Sequence, residues 1–165
     1  MACHLLNSIC TSQSTEVSLT IFFQDERRPK MMKYYSRRWI KPTDLNPAQR
    51  LFGGTAMAWM DEEAAIFAAC QMGTDKIVTK FISEINFQAP AKVGDVIEFG
   101  LAVRDCGRTS LTVSCELREK KTGTVIMSVE RIVFVALDEA GLPTPHKTYL
   151  ETRSGADNKR NKCPV

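Results

Sequence analysis

The stretch LFGGTAMAWMDEEAAIFAACQM, residues 51–72 of a chain of 165 residues, decides the fold. Alanine and methionine, both strong helix formers, dominate it, and Gly73 is a natural stop at its end. Apart from three consecutive acids the stretch is apolar on nearly every side, which is typical of a helix at the centre of a fold or in a membrane. The acids, Asp61 to Glu63, argue against a membrane. We therefore predict a central helix that a sheet must wrap.

The sequence on either side of this helix supplies the strands. Residues 33–41 contain aromatic and β-branched residues and predict a first strand, and residues 42–50 have the prolines and short polar side chains of a loop. Four segments rich in Val, Ile, Phe and Thr follow the helix, at residues 76–87, 95–105, 108–119 and 123–137. Turn-like residues separate them. We predict an α+β domain in which a five-stranded antiparallel sheet, its last four strands a meander, wraps one long central helix.

Length and composition suit one domain with an extension at each end. Hydrophobic residues make up 44% of the chain and charged residues 25%, which is ordinary for a globular protein. Residues 1–30 lack periodicity and residues 147–165 are basic and polar, so we predict a poorly ordered extension and a flexible tail around a domain at 31–146. The net charge of +3 is too small to indicate nucleic acid and equally suits an anionic small ligand.

The cysteines and the hydropathy pattern bear on metal chemistry and location. Six cysteines form no CxxC pair and the two histidines stand near opposite ends, so no zinc-site spacing exists and we expect no metal. A catalytic cysteine needs a histidine partner, and the sequence offers no plausible one. No apolar run approaches the roughly 18 residues that cross a bilayer, and the N-terminus lacks a signal-peptide pattern. We predict reduced thiols, a cytoplasmic protein and no membrane contact.

Two glycines, Gly53 and Gly54, stand at the start of the predicted helix, where each costs roughly 1 kcal/mol relative to alanine. One explanation is close packing of the helix against the sheet. The other is a helix N-terminus with bare backbone, whose free N–H groups and dipole suit a developing oxyanion. Both explanations stay open at the level of the sequence.

Asp61 is the candidate catalytic acid because its neighbours four residues away on the helix are apolar. An acid in such surroundings is paired or functional, and it suits a general base or a nucleophile. Glu62 and Glu63 are better explained as a solvated strip. Gly54 and Asp61 are separated by about 10 Å at 1.5 Å per residue, too far for both to reach one carbonyl. If both act on one carbonyl, the spacing predicts a site shared by two antiparallel helices of a dimer.

Residues 42–66, PTDLNPAQRLFGGTAMAWMDEEAAI, resemble the helix signature of hotdog-fold acyl-CoA thioesterases of the acyl-CoA hydrolase type. That signature has an Asn in the loop, Phe-Gly-Gly at the helix start and an acid about seven residues later. The likeness continues in short motifs at Val78-Thr79, Asn86-Phe87, Val93-Gly94-Asp95, Gly107-Arg108-Thr109-Ser110 and FVALDEAGLPTP (134–145). It covers roughly residues 33–146, and the combined match is specific although Phe-Gly-Gly alone would be weak.

The resemblance implies a hotdog fold and hydrolysis of acyl-CoA to free fatty acid and coenzyme A, with no metal and no redox cofactor. In this family an Asp on the central helix and an Asn in the preceding loop serve catalysis and come from different subunits. Asp61 matches the first and Asn46 the second, although Asn46 also suits a plain turn. Gly54 is the candidate oxyanion donor, and Thr79 is a weaker candidate for lining the site. Gln49 stands where the family usually has Gly, which puts the geometry of the loop in question.

The motif at residues 107–110 is the predicted contact for coenzyme A. A turn at Gly107 followed by Arg108, Thr109 and Ser110 suits phosphates, although without the resemblance it would be a plain hairpin. Gly53, at the helix start, is a second predicted contact. The resemblance also implies a homodimer at least and, as is frequent in the family, a trimer of dimers, with acyl-CoA and no nucleic acid as the partner.

Two other functions stay open. A hotdog domain that only binds acyl-CoA and regulates a partner would carry a fused DNA-binding element, but residues 1–30 show no helical periodicity. A hotdog dehydratase or hydratase would need a catalytic histidine, and the one nearest the predicted core, His146, lies past the last strand. Release of free thiol from acyl-CoA that is lost on Asp61→Asn would separate hydrolysis from both.

Overall fold

The computed structural model describes residues 32–148, which form one long helix and six strands. The helix, α1, spans Gly53–Met72. The strands are β1 (Lys33–Trp39), β2 (Ile77–Ile82), β3 (Ile85–Phe87), β4 (Val96–Cys106), β5 (Ser110–Glu119) and β6 (Val125–Ala136). The predicted extension at 1–30 and all but the first two residues of the predicted tail lie outside the described part of the chain.

All six strands belong to one antiparallel sheet with the order β1-β4-β5-β6-β2, and β3 also pairs with β6. Because β2 and β3 lie end to end along β6, they share one position at the edge of the sheet. Residues 83–84 interrupt what the sequence predicted as a single strand. One helix against an antiparallel sheet is confirmed, with six strands in five positions instead of the predicted five strands.

Only three of the four strands that follow α1 form the meander. β4, β5 and β6 pair in chain order, but β2 pairs with β6 and not with β4. Residues 88–95 do not form a tight hairpin but run from β3, beside β6, to β4, which lies beyond β5. The prediction of a four-stranded meander is therefore wrong for its first strand. As a result β1 and β2 are the two edges of the sheet.

One side of α1 packs on the sheet and forms the core. Its buried residues recur mainly at four-residue intervals, namely Ala56, Met60, Ala64, Ala68 and Met72. The inward residues of β5 predicted from their alternation are buried as expected: Leu111, Val113, Cys115 and Leu117. Three alanines among the buried helix positions allow close approach to bulky strand residues such as Phe99 and Phe134. The buried residues of the helix, spaced by four, and those of the strand, spaced by two, therefore pack together in one core.

The opposite side of α1 is only partly covered by its own chain. Ile66 is more than half exposed on this side, where Ala58, Glu62 and Cys70 are exposed as well. A single chain thus buries one side of an apolar helix and leaves the other open, an arrangement that is typical of an interaction surface. The helix ends as predicted at Gly73, which has a φ of 68°. Between residues 32 and 148 no helix is both long and apolar enough to cross a membrane.

Candidate active site

The first turn of α1 presents unpaired backbone donors. Phe52 precedes the helix in extended conformation, and the N–H of Ala56 donates to its carbonyl. The N–H groups of Gly53, Gly54 and Thr55 lie before this first intrahelical bond. No side chain caps this end and the first turn contains no acid. The arrangement therefore suits an anion or a polarised oxygen.

Two phenylalanine rings lie against the glycine pair. A Cβ on Gly54 would stand 2.7 Å from Cε1 of the Phe52 ring, and one on Gly53 would stand 3.4 Å from Cζ of Phe87. Both rings are themselves more than half exposed. Close packing therefore explains part of the preference for glycine, and at Gly53 the packing partner is Phe87 of β3. It does not remove the other explanation, because the N–H groups of this turn donate to no other group within residues 32–148.

Asp61 lies at the edge of the sheet formed by β2. Oγ1 of Thr79 donates to Oδ1 of Asp61 at 3.0 Å. Within residues 32–148 the second oxygen, Oδ2, accepts no hydrogen bond, so one oxygen is fixed and the other is available. Thr79, expected only to line the site, is in direct contact with the candidate catalytic carboxylate.

The two acids that follow Asp61 have a different environment. Nη2 of Arg38, on β1, donates to Oε2 of Glu62 at 2.6 Å and to Oε1 of Glu63 at 3.1 Å. The side chain of Glu62 is 55% exposed, as expected for a solvated strip. For Glu63 that prediction is wrong, because its side chain is only 13% exposed and its charge is paired.

The loop before α1 folds into a tight turn around Asn46. The backbone carbonyl of Asn46 accepts from the N–H of Gln49 at 2.9 Å, and its Oδ1 accepts from the N–H of Arg50 at 3.1 Å. Gln49 has a φ of 57°, the left-handed conformation that favours Gly. Gln49 thus keeps the backbone shape that a Gly would give. The turn-forming explanation of Asn46 holds for its oxygen, and in the described chain its Nδ2 donates to no protein group.

The predicted coenzyme A turn at residues 107–110 connects β4 and β5 near the end of α1, far from the two glycines. The carbonyl of Thr109 accepts from the N–H of Ala136 at 2.9 Å. Ala136 pairs with Ile77, which starts the strand just after the helix. Gly53 and Gly54 stand at the other end, and a helix of 20 residues is about 30 Å long. Within one chain the two predicted coenzyme A contacts are therefore separate.

His146 anchors that turn. Its side chain is buried, and its Nε2 donates to the carbonyl of Gly107 at 2.9 Å. Sγ of Cys106 lies 3.8 Å from the same nitrogen. The sequence did not predict this contact, which forms because the chain after β6 folds back over the turn. Since the Nε2 proton is already donated to a carbonyl, this nitrogen is not placed to take a proton from the thiol.

Sequence reasoning missed the partners of Arg38 and of His146, both of which join residues far apart in the chain. A charged residue at an inward position of a predicted strand was a usable signal for Arg38. The cysteine on β5 is excluded as a nucleophile, because burial raises the pKa of the Cys115 thiol to about 12. In the part of the chain that the structure describes, no group of three or more His, Cys, Asp or Glu could hold a metal ion.

Comparison with known proteins gives one consistent family. Residues 48–126 match the model of the thioesterase superfamily. An uncharacterised acyl-CoA thioester hydrolase of Buchnera aphidicola subsp. Baizongia pistaciae is 33% identical over 124 residues, which cover 72% of this chain and 89% of the relative. Most of the described domain lies within these matches.

Solved structures agree with this family. The acyl-CoA hydrolase of Staphylococcus aureus, in complex with butyryl coenzyme A, coenzyme A and coenzyme A disulfide, is 32% identical with a TM-score of 0.62 over 70% of this chain and 68% of that one. Variants of that protein with one Asp, one Asn or one Thr replaced by Ala have also been solved. A hexameric thioesterase of Yersinia pestis is 28% identical with a TM-score of 0.63 over 69% of this chain and 94% of that one.

Proposed function

The chain belongs to the thioesterase superfamily and to its acyl-CoA thioester hydrolases, and from this membership we propose that it hydrolyses acyl-CoA to a free fatty acid and coenzyme A. The oxygen of water forms a bond to the thioester carbonyl carbon, the C–S bond breaks, and the sulfur leaves and takes a proton. Coenzyme A is part of the substrate, and we propose no further cofactor. The observation that carries the proposal is Asp61, held by Thr79 through one oxygen with the other available.

Asp61 acts in one of two ways. As a general base, Oδ2 takes a proton from water while the water oxygen attacks the carbonyl. As a nucleophile, Oδ2 attacks the carbonyl itself, and water then hydrolyses the resulting anhydride. In both cases the hydrogen bond from Thr79 fixes the carboxylate so that Oδ2 faces the thioester. Both routes give the same products. Whether Asp61 acts as a base or as a nucleophile is therefore a separate question from whether the chain hydrolyses acyl-CoA.

The oxyanion donors come from a second subunit. Gly54 and Asp61 are on one helix about 10 Å apart, whereas a single carbonyl needs both within roughly 3 Å. Two antiparallel helices bring the first turn of one against the middle of the other. Asp61 then faces the N–H of Gly54 of the partner subunit. Among the described residues no side-chain cap competes with the oxyanion for that N–H.

A surface suited to this pairing is present on the chain. Strand β2 is an edge of the sheet, and its Val78 and Phe81 are exposed. On α1, Met57 is exposed four residues before Asp61, and Ile66 is exposed on the outward side of the helix. An edge strand next to an exposed apolar helix face is unfavourable in a lone chain and favours a second copy. We propose a homodimer built on this surface and, by analogy with the hexameric relative, a trimer of such dimers.

Antiparallel pairing also brings the two predicted coenzyme A contacts closer together than they are within one chain. The turn at residues 107–110 lies near the C-terminal end of α1, and with Asp61 opposite Gly54 of the partner subunit it stands about 16 Å along the axis from the first turn of the partner's helix. Arg108 is exposed and available for phosphate, and Thr109 and Ser110 follow it in the same turn. Gly53, without a side chain, leaves room for the pantetheine arm. Coenzyme A therefore lies across the subunit boundary.

Asn46 positions the water or polarises the carbonyl through its free Nδ2. The replaced Asn and Asp of the Staphylococcus aureus hydrolase are fifteen residues apart, as are Asn46 and Asp61. Because Oδ1 is fixed by the N–H of Arg50, the amide cannot rotate freely and Nδ2 keeps one direction. We also propose a cytoplasmic location, which suits the reduced thiols of Cys70 and Cys115.

The test is release of free thiol from a panel of acyl-CoA thioesters from acetyl to palmitoyl. We expect the unaltered chain to release coenzyme A, and Asp61→Asn to lower kcat by about 10³-fold or more, as for other essential catalytic groups. Glu62→Gln is the matched control, since it removes a neighbouring carboxylate that is mostly solvated. Binding of acyl-CoA without thiol release by the unaltered chain would instead identify a non-catalytic regulator.

A further inference from the structure

Three consecutive acids connect α1 to both edges of the sheet. Asp61 is bound by Thr79 of β2, the edge strand on one side. Glu62 and Glu63 are bound by Arg38 of β1, the edge strand on the other side. Between these two flanks, the buried residues of the helix next to the three acids, Met60 and Ala64, are apolar. The helix is therefore held by polar contacts at its two flanks and by apolar packing beneath.

The geometry of the helix explains how neighbouring residues reach opposite edges. Successive residues are rotated by about 100°, so Glu62 and Glu63 stand about 100° and 200° around the axis from Asp61. Apolar packing alone leaves a helix some freedom to roll, because dispersion contacts have little directional preference. Two hydrogen-bonded contacts at opposite flanks remove that freedom. A roll of the helix moves the carboxylate of Asp61 most, since it lies at the periphery.

The contact of Arg38 with the two glutamates is stabilised by a second interaction and by partial burial. The guanidinium of Arg38 lies 5.5 Å from the centroid of the Trp59 ring, within cation–π range, and Trp59 stands on the same helix. The Arg38 side chain is 33% exposed, and that of Glu63 is 13% exposed. Loss of Arg38 leaves a mostly buried carboxylate without a partner, and the helix must shift to hydrate it.

We propose that Arg38 is a positioning residue for the hydrolysis, fixing the rotation of α1 so that Asp61 stays bonded to Thr79 and presents Oδ2 to the thioester. The inference rests on the proposed role of Asp61. Arg38 touches neither substrate nor reacting atoms. Its effect reaches Asp61 through the mostly buried Glu63 and the backbone of one helical turn.

The same strand supplies a matched control. Arg37 lies on the opposite side of β1 and donates to Glu98 at 3.4 Å, away from the helix. Glu98 also accepts two hydrogen bonds from Arg118, at 2.9 and 2.7 Å, so it stays paired when Arg37 is replaced. Arg37→Met and Arg38→Met remove the same charge and the same side chain from adjacent positions. They differ in which face of the sheet loses its ion pair.

The experiment compares full-length chains carrying Arg38→Met, Arg38→Lys and Arg37→Met by steady-state thiol release. We expect Arg38→Met to lower kcat about tenfold with KM changed less than about twofold, because misplacement of a catalytic group acts on the chemical step. We expect Arg37→Met to change kcat less than about twofold. Arg38→Lys keeps the charge and restores part of kcat, which a purely structural loss of packing would not predict.

A double replacement sharpens the result. If Arg38 acts through Glu63, Glu63→Gln lowers kcat by itself, and adding Arg38→Met lowers it little further. This variant also serves if Arg38→Met fails to fold. Equal kcat values for Arg38→Met and Arg37→Met, or an effect confined to KM, would overturn the inference. An unaltered chain that releases no thiol would overturn the proposed function instead, so the two failures are distinguishable.

Discussion

The two ends of α1 differ in whether their backbone groups are satisfied. At the C-terminal end the N–H groups of Gly73 and Thr74 both donate to the carbonyl of Ala69, and the Thr148 hydroxyl donates to the carbonyl of Gln71. At the N-terminal end the first three N–H groups, two of which belong to glycines, have no side-chain cap among the described residues. One end is closed by the chain itself, and the other is left for something else to bind.

This difference separates stability from function along a single helix. A closed end contributes to folding, because its carbonyls would otherwise be buried without partners. An open N-terminal end costs some stability, since a side-chain cap there is worth about 1 kcal/mol. Replacements at the open end should therefore change the rate of hydrolysis, and replacements at the closed end should change the free energy of unfolding.

Among replacements at the two ends of α1, the largest expected effect is at Gly54. Gly54→Pro removes its backbone N–H without breaking an intrahelical bond, because donors of the first turn have no partner in the helix. We expect kcat to fall by about 100-fold or more, the loss typical of one oxyanion donor. Thiol release from a saturating acyl-CoA measures it.

Gly54→Ala is the control, since it adds a Cβ at the same place and keeps the N–H. The Phe52 ring is exposed and can turn away from that Cβ, so the cost of the contact is small. If the two variants lose activity equally, the space at Gly54 matters and its N–H does not. The dimer-shared oxyanion site would then have to be given up.

The second prediction tests the turn at residues 107–110, which lies near the closed end of α1 and is anchored by His146. His146→Ala removes a buried ring and leaves the carbonyl of Gly107 without its partner, so we expect a loss of about 2–4 kcal/mol in the free energy of unfolding. Because the turn at residues 107–110 loses its anchor, KM for acyl-CoA rises while kcat changes less than about twofold. Chemical denaturation and steady-state kinetics measure these effects. A loss of kcat as large as that of Asp61→Asn would instead support histidine catalysis of the dehydratase type.

The features that could be predicted from the sequence are those that depend on local chemistry. Gly73 ends α1 because only a residue tolerant of positive φ suits that position, and the alternation at Leu111 and Val113 gives the inward face of β5 directly. Asp61 was selected as the candidate catalytic acid from its apolar helical neighbours, and that role stays a prediction. For these residues the deciding interactions lie within about one turn or one strand.

The features that were missed depend on which strands become neighbours. β2 pairs with β6 and not with β4, a choice set by the long connection at residues 88–95. That choice places Thr79 at Asp61 and leaves β1 as the other edge, where Arg38 meets Glu63. A sequence pattern shows that Glu63 is acidic on an apolar helix, but it does not show that a cation lies across from it.

The smallest expected effect is at Gly73, the closed end itself. Gly73→Ala places a Cβ on a residue with a φ of 68° and 3.3 Å from Cβ of Lys147. We expect a loss of about 1–2 kcal/mol in the free energy of unfolding, the usual cost of a left-handed conformation for a residue with a side chain. The activity of the folded protein should stay unchanged, because Gly73 has no side chain and its N–H is already donated to the carbonyl of Ala69. If kcat falls as well, the two ends of α1 are coupled and the division between a structural and a catalytic end does not hold.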